Sequence, residues 1–183
     1  MLGRWHGRKA LVLGAVLGTL PDMDVVLDFG DAVADMTYHR GFSHSLFVLA
    51  GLSLLLAWLG RRFWPHPKYS ATRLWLSIWL ILLTHVLLDA LTSYGTQLFW
   101  PLTSAPVAIS SIFIIDPLYT LPLLLAVIVG LFAGMGGAGL RWQRAALVVS
   151  SLYLLSTLAG KHMADYRLDR ALALAGVETE QRF

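Results

Sequence analysis

The stretch LWLSIWLILLTHVLLDALT, residues 74–92, decides the fold because it carries His85 and Asp89 inside an otherwise apolar run. A helix needs about 20 apolar residues to span a membrane, and this run supplies nearly that number. An ionisable side chain in such a segment is costly, and for that reason it usually marks a functional site. The four-residue spacing places the imidazole and the carboxylate on one helix face, about one turn apart. The pair is predicted either to bind one metal ion or to be a histidine oriented by a carboxylate.

The composition of the whole chain is typical of an integral membrane protein. Its 183 residues are 57% hydrophobic and only 14% charged, against about a quarter charged in soluble domains, and the mean hydropathy is +0.66. We predict one all-α, membrane-embedded domain over residues 1–183, a bundle of four to five apolar helices with a polar tail over 161–183 and a polar metal site at one membrane face. The apolar segments are residues 10–20, 42–60, 74–92, 117–135 and 145–160.

The absence of cysteine limits the chemistry of any metal site. Thiolate ligands, disulfides and cysteine nucleophiles are all excluded. A metal in this protein must therefore be held by histidine and carboxylate side chains, a ligand set that favours zinc and also accepts manganese or iron. We predict one or two divalent ions.

The positions of the basic residues predict the orientation in the membrane. They fall in short loops beside apolar segments, which indicates membrane topology rather than nucleic-acid binding. If every segment crosses, nine basic residues share one side and five the other, so the nine are placed in the cytoplasm. The first segment, at about 16 Å, is too short to span alone. The candidate ligands then gather at the extracytoplasmic face of a multi-pass inner-membrane protein. The nine are Arg4, Arg8, Lys9, Arg61, Arg62, Lys68, Arg73, Arg141 and Arg144.

A second polar motif, HRGFSHS at residues 39–45, precedes the second apolar segment. Its two histidines, His39 and His44, are predicted metal ligands on either side of a tight turn, where Gly41 gives the backbone freedom. Ser43 is expected to cap the following helix. The alternative is a capped helix start with two interfacial histidines. Arg40 would be the natural clamp for an anionic group, although an acidic neighbour or a lipid headgroup would equally explain it.

Two carboxylates, Asp22 and Asp24, flank Met23 directly after Pro21. Carboxylates so close together repel each other unless a cation or a donor compensates them. Both are therefore predicted to hold a metal or to support its ligands. A solvated acidic loop is the alternative, because further aspartates follow.

Three other polar residues border the apolar segments. Asp116 stands before Pro117 at the start of the fourth segment, which suits a helix N-cap and a catalytic carboxylate equally well. Thr92 follows Asp89 by three residues and is predicted to line the same cavity. Lys161 follows the fifth segment, where it can snorkel to the interface or bind an anion.

Together, the motifs resemble the YdjM-like family. They are PDxD at residues 21–24, HRGxSHS at 39–45, HxxxDxxTxxG at 85–95 and DPLY at 116–119. The resemblance covers residues 10–125, and the order of the motifs is more specific than any one of them. Members of this family are described as LexA-regulated, membrane-bound, metal-dependent hydrolases. The resemblance therefore implies a membrane hydrolase whose metal site is built from these motifs.

The leading hypothesis is a membrane-bound metal-dependent hydrolase that cleaves a phosphoester or related bond of a lipid-like substrate through a metal-activated water. His85 lies roughly 10 Å inside its segment, where membrane lipids are the natural partners and nucleic acid is not expected. A metal-stabilised structural or regulatory protein is the alternative. A metal-ion transporter is less favoured, because the fourth and fifth segments carry no charge.

Each role is assigned to named residues. The predicted metal ligands are Asp22, Asp24, His39, His44, His85 and Asp89. The predicted catalytic carboxylates are Asp24 and Asp116. The predicted substrate-binding residues are Arg40, Ser43, Thr92 and Lys161.

Overall fold

The computed structural model shows an all-α protein, as the sequence predicts. It describes residues 6–28, 30–31, 34–35, 38–65 and 68–176; Arg4 and Arg182, two of the residues used to predict orientation, lie outside these ranges. The α-helices bounded within the described residues are α1 (Lys9–Gly18), α2 (Leu46–Phe63), α3 (Ala71–Ala90), α4 (Pro117–Ala133) and α5 (Gly137–Leu174). Two 3₁₀ helices, Pro21–Val26 and Phe42–His44, lie between α1 and α2.

The start of α2 differs from the prediction. The second apolar segment opens as the 3₁₀ helix Phe42–His44, and the α-helix begins only after Ser45. The Ser45 side chain accepts hydrogen bonds from the backbone N–H groups of Phe47 and Val48, so it is the N-cap. The prediction that Ser43 caps this helix is therefore wrong, because the intervening 3₁₀ turn moves the cap two residues along the chain.

The two carboxy-terminal helices also differ in length from their apolar segments. α4 ends at Ala133 and is 17 residues long. α5 is 38 residues long, because it continues beyond the apolar part through most of the polar tail that was predicted over 161–183. Its charged residues are spaced along a regular helix rather than in a loop.

Two helices of the described chain, α2 and α3, are long and apolar enough to cross a membrane by length and composition. α1 and α4 are apolar but shorter. Only 17% of the apolar window of α2, and the same share of α3, is buried inside the protein. Apolar surface left exposed on this scale marks contact with a membrane or a partner, and it distinguishes these helices from the core helices of a soluble protein.

The core lies where α2 packs on α3. Leu49 of α2 is buried against Leu82 and Val86 of α3. One polar contact crosses this interface, since the Trp75 indole N–H donates to the Ser53 hydroxyl over 3.0 Å. α1 also packs against α3. These three helices form the unit that carries the site.

The connection from α3 to α4, residues 91–116, folds back over the end of α3. The N–H of Ile109 donates to the carbonyl of Ala90 over 2.8 Å, and the N–H of Leu46 donates to the carbonyl of Leu98 over 3.0 Å. The Ser45 hydroxyl donates to the carbonyl of Trp100. These bonds fasten the first turn of α2 beside the last turn of α3, so side chains from the two helix ends meet.

α4 and α5 form a hairpin whose polar groups are paired within it. The Ser150 hydroxyl of α5 donates to the carbonyl of Tyr119 on α4 over 2.9 Å. The turn between the two helices is so tight that a Cβ at Gly139 would clash with the carbonyl oxygen of Gly134. Glycine is therefore required at the start of α5.

Candidate metal centre

Four side chains from three elements converge on one point. Asp22 comes from the first 3₁₀ helix, His44 from the second, and His85 and Asp89 from the last turns of α3. One ligand atom from each lies within 4.8 Å of all the others. His44 Nε2 is 3.3 Å from Asp22 Oδ1 and 3.2 Å from Asp89 Oδ2, and His85 Nε2 is 3.4 Å and 3.3 Å from the same two oxygens. We call these four residues the four-ligand group.

These distances match the spacing of ligand atoms around one metal ion. Bonds of about 2.0–2.1 Å at the tetrahedral angle separate neighbouring ligands by about 3.3–3.4 Å. Despite their proximity, the four atoms make no aligned hydrogen bond to any partner in the part of the chain that the structure describes, and all are buried. Nitrogen and oxygen atoms that face a common centre instead of one another are arranged as ligands. The group could therefore hold a metal ion.

Buried polar atoms without a hydrogen-bond partner are concentrated at this place. The described residues contain nine such side-chain atoms, and eight of them belong to the four-ligand group and its immediate neighbours. Proteins pair nearly all buried polar atoms, so this concentration is itself a mark of a binding site. The neighbours are Asp24, His39 and Arg40, and the ninth atom is the hydroxyl oxygen of Thr96.

The carboxylates and imidazoles of the four-ligand group shift the pKa values of Asp22 and His44 toward the charged forms. The imidazoles of His44 and His85 hold the pKa of the Asp22 carboxyl well below its ordinary value, against desolvation, which raises it. Burial lowers the pKa of His44, but the carboxylates of Asp22 and Asp89 outweigh that effect and leave it above the ordinary 6.5. The carboxylates around His44 thus favour a positive charge at this point, which is the charge that a metal ion would supply.

Asp24 lies behind His44 and orients it through Ser43. The Ser43 hydroxyl donates to Asp24 Oδ2 over 2.5 Å, and its oxygen is 2.9 Å from His44 Nδ1. Because the hydroxyl hydrogen is given to Asp24, the oxygen accepts the Nδ1 hydrogen of His44. This tautomer leaves the Nε2 lone pair facing the four-ligand group. Carboxylates commonly orient metal-binding histidines in this way.

The predicted ligand His39 is not among the four converging atoms. Its Nδ1 lies 3.0 Å from Asp24 Oδ1, and its side chain is 27% exposed. The ring stands edge-on to His44, with centroids 6.3 Å apart. His39 and Asp24, both predicted to bind metal, thus form a pair beside the four-ligand group.

The predicted substrate-binding residues are divided between the site and other places. Arg40 adjoins the four-ligand group, with Nη2 3.6 Å from Asp89 Oδ1. Ser43 holds His44, as described. The Thr92 hydroxyl donates to the carbonyl of Asp89 over 2.7 Å, at the end of α3. Lys161 pairs with Asp165 on α5 at 2.7 Å.

Asp116, the second predicted catalytic carboxylate, is the N-cap of α4. Oδ1 accepts from the N–H groups of Leu118 and Tyr119 at 2.9 and 3.3 Å, and Oδ2 accepts from the Tyr153 hydroxyl at 2.8 Å. Both oxygens thus have partners within the α4–α5 hairpin. The capping role foreseen for Asp116 is confirmed.

Sequence reasoning missed how Ser43 works. Its place between Asp24 and His44 depends on a contact 19 residues away along the chain. The one available signal was the adjacency of Ser43 and His44 in a turn rich in polar residues. That signal is weak, because a serine before a helix is far more often a cap.

The chain matches a known protein family along most of its length. The family described as "YdjM inner membrane protein" matches residues 1–164. The chain is 38% identical over 93 residues to the inner membrane protein YbcI of Escherichia coli (strain K12), covering 50% of this chain and 52% of that protein. It is 28% identical over 147 residues to the uncharacterized protein YfhP of Bacillus subtilis (strain 168), covering 80% and 44%. It thus spans about half the length of these relatives. No solved structure matches it significantly.

Proposed function

This chain belongs to the YdjM inner membrane protein family, and we propose that it is a zinc-dependent membrane hydrolase that cleaves a phosphoester or related bond of a lipid-like substrate. The observation that carries the proposal is the convergence of Asp22, His44, His85 and Asp89 on one point. Two imidazoles and two carboxylates form a donor set that zinc accepts, with manganese and iron as alternatives.

A divalent metal held by this group would supply Lewis acidity and a nucleophilic water at neutral pH. The protein's own residues do the rest. Ser43 and Asp24 fix the tautomer of His44. Asp24 is also the carboxylate that we propose as proton acceptor, because Oδ1 makes no aligned hydrogen bond within the described residues and lies 3.0 Å from the His39 imidazole. The proposal uses Asp24 rather than Asp116, whose oxygens are engaged by the cap and by Tyr153.

The surroundings of Asp22 support a lipid-like substrate. Its side chain is 46% exposed, which makes it the most open member of the four-ligand group. The same 3₁₀ helix exposes Val25 and Val26, at 72% and 71%, together with Met23. An opening bordered by exposed apolar side chains favours approach from a lipid phase over approach from water.

We place this opening on the extracytoplasmic side of the inner membrane. The described basic residues at the start of α1 and in the α2–α3 connection lie at the opposite end of the α1–α3 unit from the four-ligand group. The positive-inside rule assigns the basic end to the cytoplasm. Membrane lipids are then both the surroundings and the proposed source of the substrate.

One observation favours a second candidate, a metal-stabilised structural protein. Tetrahedral structural sites are closed by four protein ligands, whereas catalytic sites usually have three and leave one position for water. The four-ligand group offers four. The exposed Asp22 is the ligand that a hydrolase would have to displace or share, so this residue separates the two candidates.

Turnover by zinc-loaded protein in detergent tests the proposal. Fluorescent phospholipids and an isoprenyl phosphate would be offered to the wild type, to His85→Ala and to His162→Ala, a matched histidine on α5. Hydrolysis that is lost on chelation, restored by zinc, absent in His85→Ala and unchanged in His162→Ala would support the enzyme. Zinc retention without hydrolysis of any substrate, with unfolding on chelation, would favour the structural candidate.

A further inference from the structure

Arg40 is the most unusual side chain beside the four-ligand group. It is only 11% exposed, yet its Nε and Nη1 atoms are buried and have no hydrogen-bond partner among the described residues. Arginine donates five hydrogens and cannot lose its charge. Buried donors of a charged group are rarely left unpaired, so these two donors mark a place where a ligand can compensate them.

The backbone of Arg40 adopts an unfavourable conformation that hydrogen bonds hold in place. Its φ is 60°, in the left-handed region that residues with a side chain seldom occupy. Two bonds fix this conformation: the Arg40 N–H donates to Asp24 Oδ2 over 2.9 Å, and the Arg40 carbonyl accepts from the N–H of Gln97 over 3.1 Å. Backbone strain that is held from both sides is typical of functional positions.

The guanidinium plane is held by two further contacts. Nη2 lies 3.6 Å from Asp89 Oδ1, and Cζ lies 5.0 Å from the ring centroid of Tyr94. Asp89 presents its other oxygen to His44 and His85. Asp89 is itself one of the four ligands, so this contact places Arg40 directly beside the four-ligand group. In a guanidinium the Nε–H lies parallel to one N–H of Nη2, and this pair matches two oxygens of a phosphate group.

We propose that Arg40 forms an anion subsite for a phosphoryl group of the substrate, next to the four-ligand group. The inference rests on the proposed function and deepens it, because it selects phosphate-bearing lipids over neutral esters and amides. Two oxygens of the phosphoryl group accept from Nε and from the neighbouring hydrogen of Nη2, while the group itself lies within reach of the four ligands. Asp89 does not cancel the subsite, since Nη2 carries two hydrogens and a single oxygen of Asp89 lies beside it.

Phosphate binding by zinc-loaded protein in detergent tests the subsite without requiring turnover. Inorganic phosphate would be titrated calorimetrically into the wild type, Arg40→Lys and Arg40→Gln. The matched control is Arg144→Gln, because Arg144 is an exposed arginine on α5. We expect one retained zinc in every variant, at least fivefold weaker phosphate binding in Arg40→Lys, a larger loss in Arg40→Gln, and no change in Arg144→Gln. Lysine keeps the charge and loses the two-pronged geometry.

Either of two results would overturn the subsite. The first is wild-type phosphate affinity in Arg40→Lys with zinc retained. The second is loss of zinc from Arg40→Lys, which would mean that Arg40 acts by holding Asp89. Wild-type protein that binds phosphate through Arg40 but hydrolyses no phosphoester lipid would remove the proposed function and keep the subsite.

Two more ligands distinguish the sources of the phosphate. Dihexanoyl phosphatidic acid and geranyl phosphate share a phosphate monoester and differ in their tails. If one of the two lipids displaces inorganic phosphate at a lower concentration than phosphate itself requires, its tail is the preferred one. If both lipids and phosphate compete equally, free phosphate is the ligand. Each outcome supports the subsite, provided that Arg40→Lys weakens it.

Discussion

Asp22 and Asp116 each stand beside a proline at a helix start, yet the structure gives them opposite surroundings. Both oxygens of Asp116 accept hydrogen bonds, Oδ1 from backbone N–H groups at the start of α4 and Oδ2 from the Tyr153 hydroxyl. Asp22 Oδ1 instead faces the imidazole nitrogens of His44 and His85 without an aligned hydrogen bond. An aspartate beside a proline therefore caps a helix in the α4–α5 hairpin, whereas in the α1–α3 unit it joins a group that could hold a metal ion.

The two regions differ in how their buried polar atoms are paired. A buried acceptor left without a partner costs about 1–3 kcal/mol. The hairpin avoids that cost by pairing its polar groups, as Ser150 does with the carbonyl of Tyr119. The end of the α1–α3 unit concentrates such atoms, which is expected where a ligand compensates them. Unpaired buried atoms are a better guide here than the motif.

Removing one imidazole from the four-ligand group should have the largest effect. Zinc binding worth about 10–16 kcal/mol over four ligands implies roughly 3 kcal/mol for each, or about a hundredfold in affinity. We expect His44→Ala and His85→Ala to weaken zinc binding by at least that factor, measured by competition with a chelating dye. His162→Ala, on α5, is the control and should bind as the wild type does. Equal zinc affinity in His44→Ala, His85→Ala and His162→Ala would contradict the assignment of His44 and His85 as metal ligands.

Changing Asp24 should have the next largest effect, because it orients His44 through Ser43 without being one of the four converging atoms. Loss of such a supporting group typically weakens metal affinity by about 10–100-fold. Asp24→Asn is expected to fall in this range by the same dye competition. Asp116→Asn is the matched control, since asparagine still caps a helix. A weaker zinc affinity in Asp116→Asn would contradict the division between the two regions.

The pH dependence of zinc binding should follow His44. Its raised pKa means that protonation stabilises the metal-free fold below pH 6.5, and that this stabilisation is lost as pH rises through the folded value. Zinc must displace that proton, so its affinity should fall by about tenfold per unit below the raised pKa and should still increase above pH 6.5. Dissociation constants at pH 6, 7 and 8 check this expectation. An affinity that levels off below pH 6.5 would show that the pKa of His44 is not raised.

The smallest effect is expected in the hairpin. Asp116→Ala removes the cap of α4 and the partner of Tyr153, which should lower stability by about 1 kcal/mol. The melting temperature in detergent measures it, while zinc affinity should stay at the wild-type value. An unchanged melting temperature together with weaker zinc binding in Asp116→Ala would contradict the roles assigned to the two regions.

Parts of the site that depend on helix periodicity were predictable from the sequence. His85 and Asp89 share a face because four residues make about one turn of α3, and the structure brings them together. The choice between Asp22 and Asp24 was not predictable in this way. They lie in a 3₁₀ helix, where each residue turns by about 120°, so side chains two residues apart point to different sides. Of the two aspartates, only Asp22 belongs to the four-ligand group.

Other features depend on contacts between distant segments. Ser45 rather than Ser43 caps α2 because a 3₁₀ turn intervenes, and no local pattern fixes where that turn ends. Asp116 finds Tyr153 across 37 residues of chain. The all-α class could be predicted from the composition and the apolar segments alone. The helix that continues into the polar tail to Leu174 could not, because that part of the chain lacks the apolar pattern from which helices were predicted.

Metal content of the protein as purified tests the central claim most directly. Wild type, His85→Ala and Asp116→Asn would be purified in detergent and analysed by inductively coupled plasma mass spectrometry, with circular dichroism to confirm equal helix content. The account predicts about one equivalent of a divalent transition metal in the wild type and in Asp116→Asn, and almost none in His85→Ala. Metal that is absent from folded wild-type protein, or equal in all three, would contradict it.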